Sequence, residues 1–329
     1  DIVFAGTGRG LEARAVAKEG FIFKRIRSSG LVGKSTVARL YALVLAPVTL
    51  LDTARILFQT RPDLVIGLGG YSAGPLVLFA SLTGKTTMLL EQNAVPGMTN
   101  RLLASFVRAA AVSYDESAPF FGDKAFVSGN PVRKGFFAAP DSQLSKSRRP
   151  RVLVVGGSQG AHAINEAMME AAPIIARVPG GIDVTHQTGE ADVDIVRGAY
   201  RRAGIDAQVE CFFDLMDEEM HAADLVVCRA GATTLSEVAA AGRPSLIVPF
   251  PHAAYDHQRS NAQVMVDAGS AELVDETDLS TCFANRLLDL IADRERLQAM
   301  SQAAFRLARP NAAEAIVDRV TELLKLSTS

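Results

Sequence analysis

In CRAGATTLSEVAAAG, residues 228–242, one carboxylate, Glu237, stands among very small residues next to apolar runs. Thr234 and Glu237 have the T-x-x-E spacing of a capping box, in which the Glu side chain satisfies the backbone N–H of a helix N-cap. The other use of such a carboxylate is to receive a hydroxyl-bearing ligand that the small neighbours let close to the backbone. A second chemical stretch, VLVVGGSQGAHAIN (residues 152–165), puts Gly156, Gly157, Ser158 and Gly160 between an apolar strand and a helix. A helix start carries free N–H groups and the positive dipole end, so this loop reads as a phosphate cradle, with a ligand-free tight turn as the alternative. GLGGYSAGP (residues 67–75) repeats the arrangement in the first half. Neither GTGRG (residues 6–10) nor the loop at 156–160 keeps G-x-G-x-x-G spacing, and the strands that follow run into RIRSSG and HQTG without a ribose-binding acid. NAD does not fit. DVD, residues 192–194, imitates a metal-binding pair but opens a helix, so it reads as N-terminal charge, and no metal is expected.

These loops need strands and helices to hold them. Short apolar runs at 1–4, 21–26, 64–67, 87–90 and 125–128 in the first half, and at 151–155, 182–186, 208–212, 224–228 and 245–248 in the second, alternate with helical patterns. That order predicts parallel sheets with crossover helices, hence α/β architecture in two doubly wound, Rossmann-like domains facing a cleft. The first domain is set at 1–137, a polar, proline-bracketed linker (AAPDSQLSKSRRP) at 138–150, and the second domain at 151–310. The helical pattern at about 311–329 is expected to pack back on the first domain. Ligands of such sheets bind at the carboxyl ends of the strands.

The chain has 329 residues, 48% of them hydrophobic, enough for two ordinary cores. The net charge of −2 divides unevenly, +7 up to Phe137 and −9 beyond it. A basic first half suits an anionic surface or ligand. Cys211, Cys228 and Cys282 lack metal or redox spacing and suit a reducing compartment. The apolar run at 40–51 is too short to span a bilayer and contains Pro47. Residues 33–51 nevertheless approach an amphipathic helix, with Val37, Leu40, Tyr41, Val44 and Leu45 beside Lys34 and Arg39, which could lie in a headgroup layer; core packing is the other explanation.

Taken together, GGYSAGP, EQNAVPGMTNR (residues 91–101), GNPVR (129–133), VLVVGGSQGA, HQTG and the 228–262 stretch resemble the MurG family of peptidoglycan N-acetylglucosaminyltransferases. The likeness runs in order from about Phe4 to Ala271. It implies a GT-B fold and inverting transfer of N-acetylglucosamine from UDP-GlcNAc to the C4 hydroxyl of the muramyl sugar of lipid I (undecaprenyl-pyrophosphoryl-MurNAc-pentapeptide), giving lipid II. It also implies a peripheral position on the cytoplasmic face of the bacterial plasma membrane, no required cofactor or metal, and no nucleic-acid partner. On the donor side the resemblance assigns Glu237 to the ribose, Gly157 and Ser158 to the diphosphate, and Arg133 to the nucleotide. It assigns Phe212, Phe213 and Met216 to uracil, and His257, Gln258 and Asn93 to the sugar. Gly69, Gly70, Tyr71, Ser72, Gly74, Glu91 and Gln92 fall on the acceptor side.

Two departures from the family pattern stand out. Leu90 occupies the position where the family commonly has His before EQN. The sequence opens on what resembles the family's second strand, so the first strand, its glycine loop and the His often assigned as base are expected to be missing. The catalytic base is therefore left unassigned, with Glu91 the remaining candidate and loop buttressing its alternative role. Another UDP-sugar enzyme of the same fold, an epimerase or a glycolipid transferase, and an inactive sugar-nucleotide binder are the competing readings.

Overall fold

The structure, a computed structural model, describes residues 1–8, 12–28, 36–137, 149–157 and 160–328; the side chains of residues 12, 14, 36–44, 254, 327 and 328 fall outside that description. The chain divides into two compact units, Asp1–Ser128 with Glu314–Ser329, and Gly129–Ala313. Residues 129–137, grouped with the first half in the sequence reading, go with the second because Phe136 is fully buried in its core. The expected linker lies almost wholly outside the described residues.

The first unit contains β1 (Val3–Gly6), α1 (Glu12–Lys18), β2 (Ile22–Arg25), α2 (Thr36–Thr60), β3 (Leu64–Gly67), α3 (Gly70–Leu82), β4 (Thr86–Glu91), α4 (Met98–Leu103), β5 (Ala109–Val112) and β6 (Ala125–Val127). Strands β3, β4, β5 and β6 pair in sequence order, all parallel, and β1 pairs with β2 alone. Between α3 and α4 and this sheet lies one core built on Val65, Val77, Leu89 and Val112. Residues Met88, Ala109 and Ala111 face the other way and are covered by Ile316 and Leu323.

The second unit holds β7 (Arg151–Val155), α5 (His162–Ile175), β8 (Asp183–Gln187), α6 (Val193–Ala203), β9 (Ala207–Glu210), α7 (Met216–Ala222), β10 (Leu225–Cys228), α8 (Ala232–Ala240), β11 (Ser245–Ile247), α9 (His257–Asp267), β12 (Ala271–Leu273), α10 (Leu279–Ala292) and α11 (Arg294–Leu307). A final helix, α12 (Ala312–Thr328), carries Ile316 and Leu323. The six strands pair in parallel in the order β12-β11-β10-β7-β8-β9. Because side chains alternate along a strand, Val152 and Val154 enter one core while Leu153 and Val155 enter the other. Strand β7, buried on both faces, is apolar after Arg151, and each such side chain contributes about 1.5–3 kcal/mol. The chain winds outward from β7 in both directions, so the switch point lies between β7 and β10.

Strands β5 and β12 are absent from the sequence expectation. RAAAV offers no β-branched run until its last residue, and β12 is three residues long, so only their neighbours in the sheet make them strands.

Candidate active site

Two loops leave the sheet at the switch point, one after β7 and one after β10. The first is bent by Gly157 and Gly160, at φ of 77° and 79°. It lies so close to β8 that a Cβ on Gly160 would collide with the Thr188 carbonyl. Gly156 donates its N–H to the Gln187 carbonyl at 3.1 Å. Helix α5 then starts at His162, and among the described residues no side chain caps its N-terminus. Its first N–H groups therefore point out of the sheet's carboxyl edge without a side-chain acceptor, the setting for an anion. Ser158 lies outside the described residues.

The second loop bears on the capping-box alternative for Glu237. Helix α8 begins at Ala232, with Gly231 at its N-cap, so Thr234 is already inside the helix and Glu237 is the sixth of its nine residues. Glu237 is half-buried, and its carboxylate has no hydrogen-bond partner among the described residues. Burial pushes its carboxyl up to about 6, against the pull of the Arg133 charge and with a further push from Asp217. Arg133 is exposed, and its guanidinium lies over the Phe136 ring, 5.1 Å from its centroid. His221 Nε2 meets the Gly135 carbonyl at 2.7 Å, and Asp217 packs so tightly on Gly135 that no Cβ would fit. The segment after GNPVR is thus pinned to α7, which brings Arg133 to the carboxylate on α8.

Helix α9 locks the β10 loop. Gln258 Oε1 accepts from the backbone N–H groups of Ala230 (3.2 Å) and Phe250 (3.0 Å), and Asn261 Nδ2 donates to the Ala230 carbonyl at 3.2 Å. The carboxamide oxygen of Gln258 is thereby spent on the protein, while its NH2 group meets no acceptor among the described residues. Arg229 Nη1 donates to the carbonyls of Val248 and Pro249, Nη2 pairs with Glu276 at 2.5 Å, and the guanidinium lies 5.4 Å from the Phe250 ring centroid. His257 is the half-buried first residue of α9, after Tyr255 and Asp256 in left-handed conformation.

Of the three apolar residues assigned to a base, Phe212 is 55% exposed, whereas Phe213 and Met216 are each 8% exposed and belong to the core with Leu153 and Val155. A ligand at the last two positions would meet backbone, not their side chains. The Phe213 N–H is held by Gln187 Oε1 at 3.0 Å, and Gln187 Nε2 donates to the Gly157 carbonyl at 3.1 Å. HQTG carries Gln187 in plain view, yet nothing in its sequence neighbourhood says that this side chain spans two loops.

Behind the glycine loop runs a polar chain. His162 Nδ1 and Asn165 Nδ2 both meet Asp192 Oδ2 at 2.8 Å, Asn165 Nδ2 donates to the Thr188 carbonyl, and Asn165 Oδ1 faces His186 Nε2 at 2.9 Å. Because Asn165 presents its oxygen there, His186 carries its proton on Nε2 and accepts from the Tyr200 hydroxyl at Nδ1. Burial pushes His186 down to about 3, so it stays neutral. His162 is raised by its hydrogen bond to Asp192; burial pushes Asp192 up, but the bonds from His162 and Asn165 and the nearby imidazoles together leave it lowered. Asp192 is the N-cap residue of α6 but caps nothing, and Asp194 in the first turn pairs with Arg197. The D-V-D triplet is thus committed to protein partners.

In the first unit Glu91 closes strand β4 and is 2% exposed. One of its oxygens accepts from Asn93 N and Nδ2, the other from Gly97 N and Asn100 Nδ2. Four donors fill the lone pairs of both oxygens. These bonds fit the buttressing role: Glu91 braces the loop at 92–97, where Gln92 and Asn93 are half-buried. Gly69 and Gly70 (φ 84° and 77°) turn the chain from β3 into α3, and Gly69 and Gly74 lie against Asn100 and Thr99 of α4. Tyr71 is exposed and Ser72 half-buried on the first turn of α3. These elements form one glycine-lined edge at the carboxyl ends of β3 and β4.

The amphipathic stretch lies in α2, which is helical from Thr36, but the side chains of Val37, Leu40, Tyr41 and Val44 are outside the described residues and Leu45 is half-buried. Farther along α2, Leu51 and Phe58 are 69% and 73% exposed, and Leu82 ends α3 at 68%. Among the described residues no helix is long and apolar enough to cross a membrane.

Residues 1–112 match the glycosyltransferase family 28 N-terminal domain, and residues 151–316 match the family 28 C-terminal domain. A protein of Anaeromyxobacter dehalogenans (strain 2CP-C), named UDP-N-acetylglucosamine--N-acetylmuramyl-(pentapeptide) pyrophosphoryl-undecaprenol N-acetylglucosamine transferase, is 44% identical over 327 residues, covering 99% of this chain and 85% of its own. The identically named protein of Myxococcus xanthus is 40% identical, with 98% and 85% covered. Among solved structures, Acinetobacter baumannii MurG superposes with a TM-score of 0.80 at 29% identity, over 98% of this chain and 91% of that one. The calicheamicin glycosyltransferase CalG4 (TM-score 0.66, 18% identity, 98% and 91% covered) shares the fold.

Proposed function

The chain belongs to glycosyltransferase family 28, among its MurG N-acetylglucosaminyltransferases, and from that premise we propose how its residues divide the work. The enzyme transfers N-acetylglucosamine from UDP-GlcNAc to the muramyl sugar of lipid I, giving lipid II, on a GT-B architecture. The observation that carries the donor reading is Glu237, a half-buried carboxylate on α8, the helix that follows β10, with no protein hydrogen-bond partner for its side chain among the described residues. Two vicinal ribose hydroxyls supply the donors it lacks, and they favour its charged form. Arg133 stands close enough to feel that carboxylate and adds positive potential on the nucleotide side.

In an inverting displacement the C4 hydroxyl attacks the anomeric carbon while UDP departs with growing negative charge. The uncapped start of α5, with the glycine loop before it, receives that charge through fixed backbone dipoles, which act without reorganising as the bond breaks. Such dipoles and Arg133 leave no step that requires a metal. Gln258, its oxygen fixed by two backbone donors, presents its NH2 group to a sugar hydroxyl, and His257 stands beside it. Phe212 offers an exposed ring to the uracil face. On the first unit, the glycine-lined edge at Gly69–Gly74 and the loop braced by Glu91 receive the acceptor.

The protein acts at an anionic membrane surface, on the cytoplasmic face, through the first unit. Exposed Leu51, Phe58 and Leu82 support this, as does the positive balance of that half. Apolar side chains enter the headgroup layer while basic residues meet anionic lipid. The assignment is tested by incubating the protein and labelled UDP-GlcNAc with a lipid I analogue and, in parallel, with diacylglycerol. Labelled lipid II analogue is expected in the first; product only in the second would overturn it.

A further inference from the structure

Gln187 ends strand β8, is 2% exposed, and touches two loops that the chain reaches by different routes. Its carboxamide donates to the Gly157 carbonyl and accepts from the Phe213 N–H, while its own carbonyl accepts from Gly156 N. The adjacent His186 points to the opposite face of the sheet and bonds there to Asn165 and Tyr200. An apolar side chain of the same length would fill the space without the cost of burying an amide. What it could not do is offer a donor and an acceptor in one rigid plane. A carboxylate would set an oxygen against the Gly157 carbonyl, and Asn would be one methylene short.

We propose that Gln187 is a positioning residue for the donor nucleotide, fixing the distance between the glycine loop at Gly157 and the segment at Phe212 and Phe213. The inference rests on the reading that the first loop meets the diphosphate and the second the base. A ligand bound at one end alone does not sense that distance; a nucleotide that spans both ends does.

The test compares Gln187→Met and Gln187→Glu with the unaltered enzyme by calorimetry and by steady-state transfer. Gln187→Met is expected to raise the Kd of UDP and the KM of UDP-GlcNAc by about three- to tenfold for each bond that matters. Uridine inhibition and the KM of the lipid acceptor should stay the same. Gln187→Glu keeps the acceptor for Phe213 but loses the donor for Gly157 at pH 8. On acidification its protonated carboxyl can donate again, so its UDP-GlcNAc affinity relative to the unaltered enzyme should recover. If Gln187→Met does not fold, this recovery alone decides. Unchanged donor affinity in both folded variants, or no recovery with acid, overturns the inference while the donor site stands. Absence of UDP-GlcNAc binding by the unaltered protein overturns the donor-site reading and this inference with it.

Discussion

Glu91 holds Asn93 twice through one oxygen, taking its backbone N–H at 3.0 Å and its side-chain amide at 3.1 Å. The same carboxylate takes Gly97 and Asn100 through the other oxygen, so a single buried side chain ties β4 to the loop and to α4. Glu91→Gln puts an NH2 group against donors that need an acceptor. A stability loss of roughly 1–3 kcal/mol is expected from a chemical melt. The pH profile of kcat should keep its shape, since no proton passes through this residue; a lost limb would return Glu91 to the role of base.

Glu237→Gln separates ligand binding from stability. Weakening of UDP by about 1–3 kcal/mol is expected, the scale of hydrogen bonds to a charged group. The protein itself should not suffer, because Glu237 caps nothing and its charge is held at a cost. Calorimetry with UDP beside a thermal melt at pH 7.5 reads both quantities. Unchanged UDP affinity would leave the carboxylate without a ligand.

The raised carboxyl of Glu237 fixes the sign of two pH effects. Its pKa is about 6 in the folded chain against an ordinary 4.5, so the folded state holds the proton longer than the unfolded one. Its contribution to stability is present below about 4.5 and is lost as pH rises through about 6. That amounts to at most about 2 kcal/mol, less with solvent screening the exposed oxygen. Binding runs the other way. UDP-GlcNAc has no phosphate group titrating near neutrality, so its affinity should fall as pH drops through 6, with proton release on binding between pH 5 and 7. Calorimetry in buffers of different ionisation enthalpy measures that release, which Glu237→Gln should abolish.

Leu51 and Phe58 lie seven residues apart on α2, two turns along one face, and both side chains are exposed. Replacing them with Ser should leave the melt unchanged and lower sedimentation with anionic vesicles, while added salt should release the unaltered protein. Equal sedimentation of the variant would move the membrane contact elsewhere.

Much of this site was legible because its glycines and small residues are needed where strands turn into helices. The loops at 67–75 and 156–160 follow that rule, and both stand at strand ends. Glu237 was legible as a residue but not in its place: T-x-x-E spacing pointed to a cap, whereas Gly231, whose φ of −66° and ψ of 133° suit an N-cap, starts α8 earlier. Phe212 and Phe213 are indistinguishable by type, and only the sheet decides that one is exposed and the other enters the core. Gln187, Gln258 and Asn261 act on backbone atoms remote in sequence. Such partners leave no local pattern, because a peptide N–H looks the same beneath any side chain.

The first unit is assembled from both sides of the second. Its contribution from α12 follows residues Gly129–Ala313, which form the other unit without interruption. During synthesis the apolar surface of Met88, Ala109 and Ala111 must therefore wait for Ile316 and Leu323, while the intervening unit can close its own two cores. At ordinary elongation rates the wait is on the order of 10 to 40 s. Throughout that interval these side chains lack Ile316 and Leu323, so the first unit completes its packing only when the far end of the chain has been made.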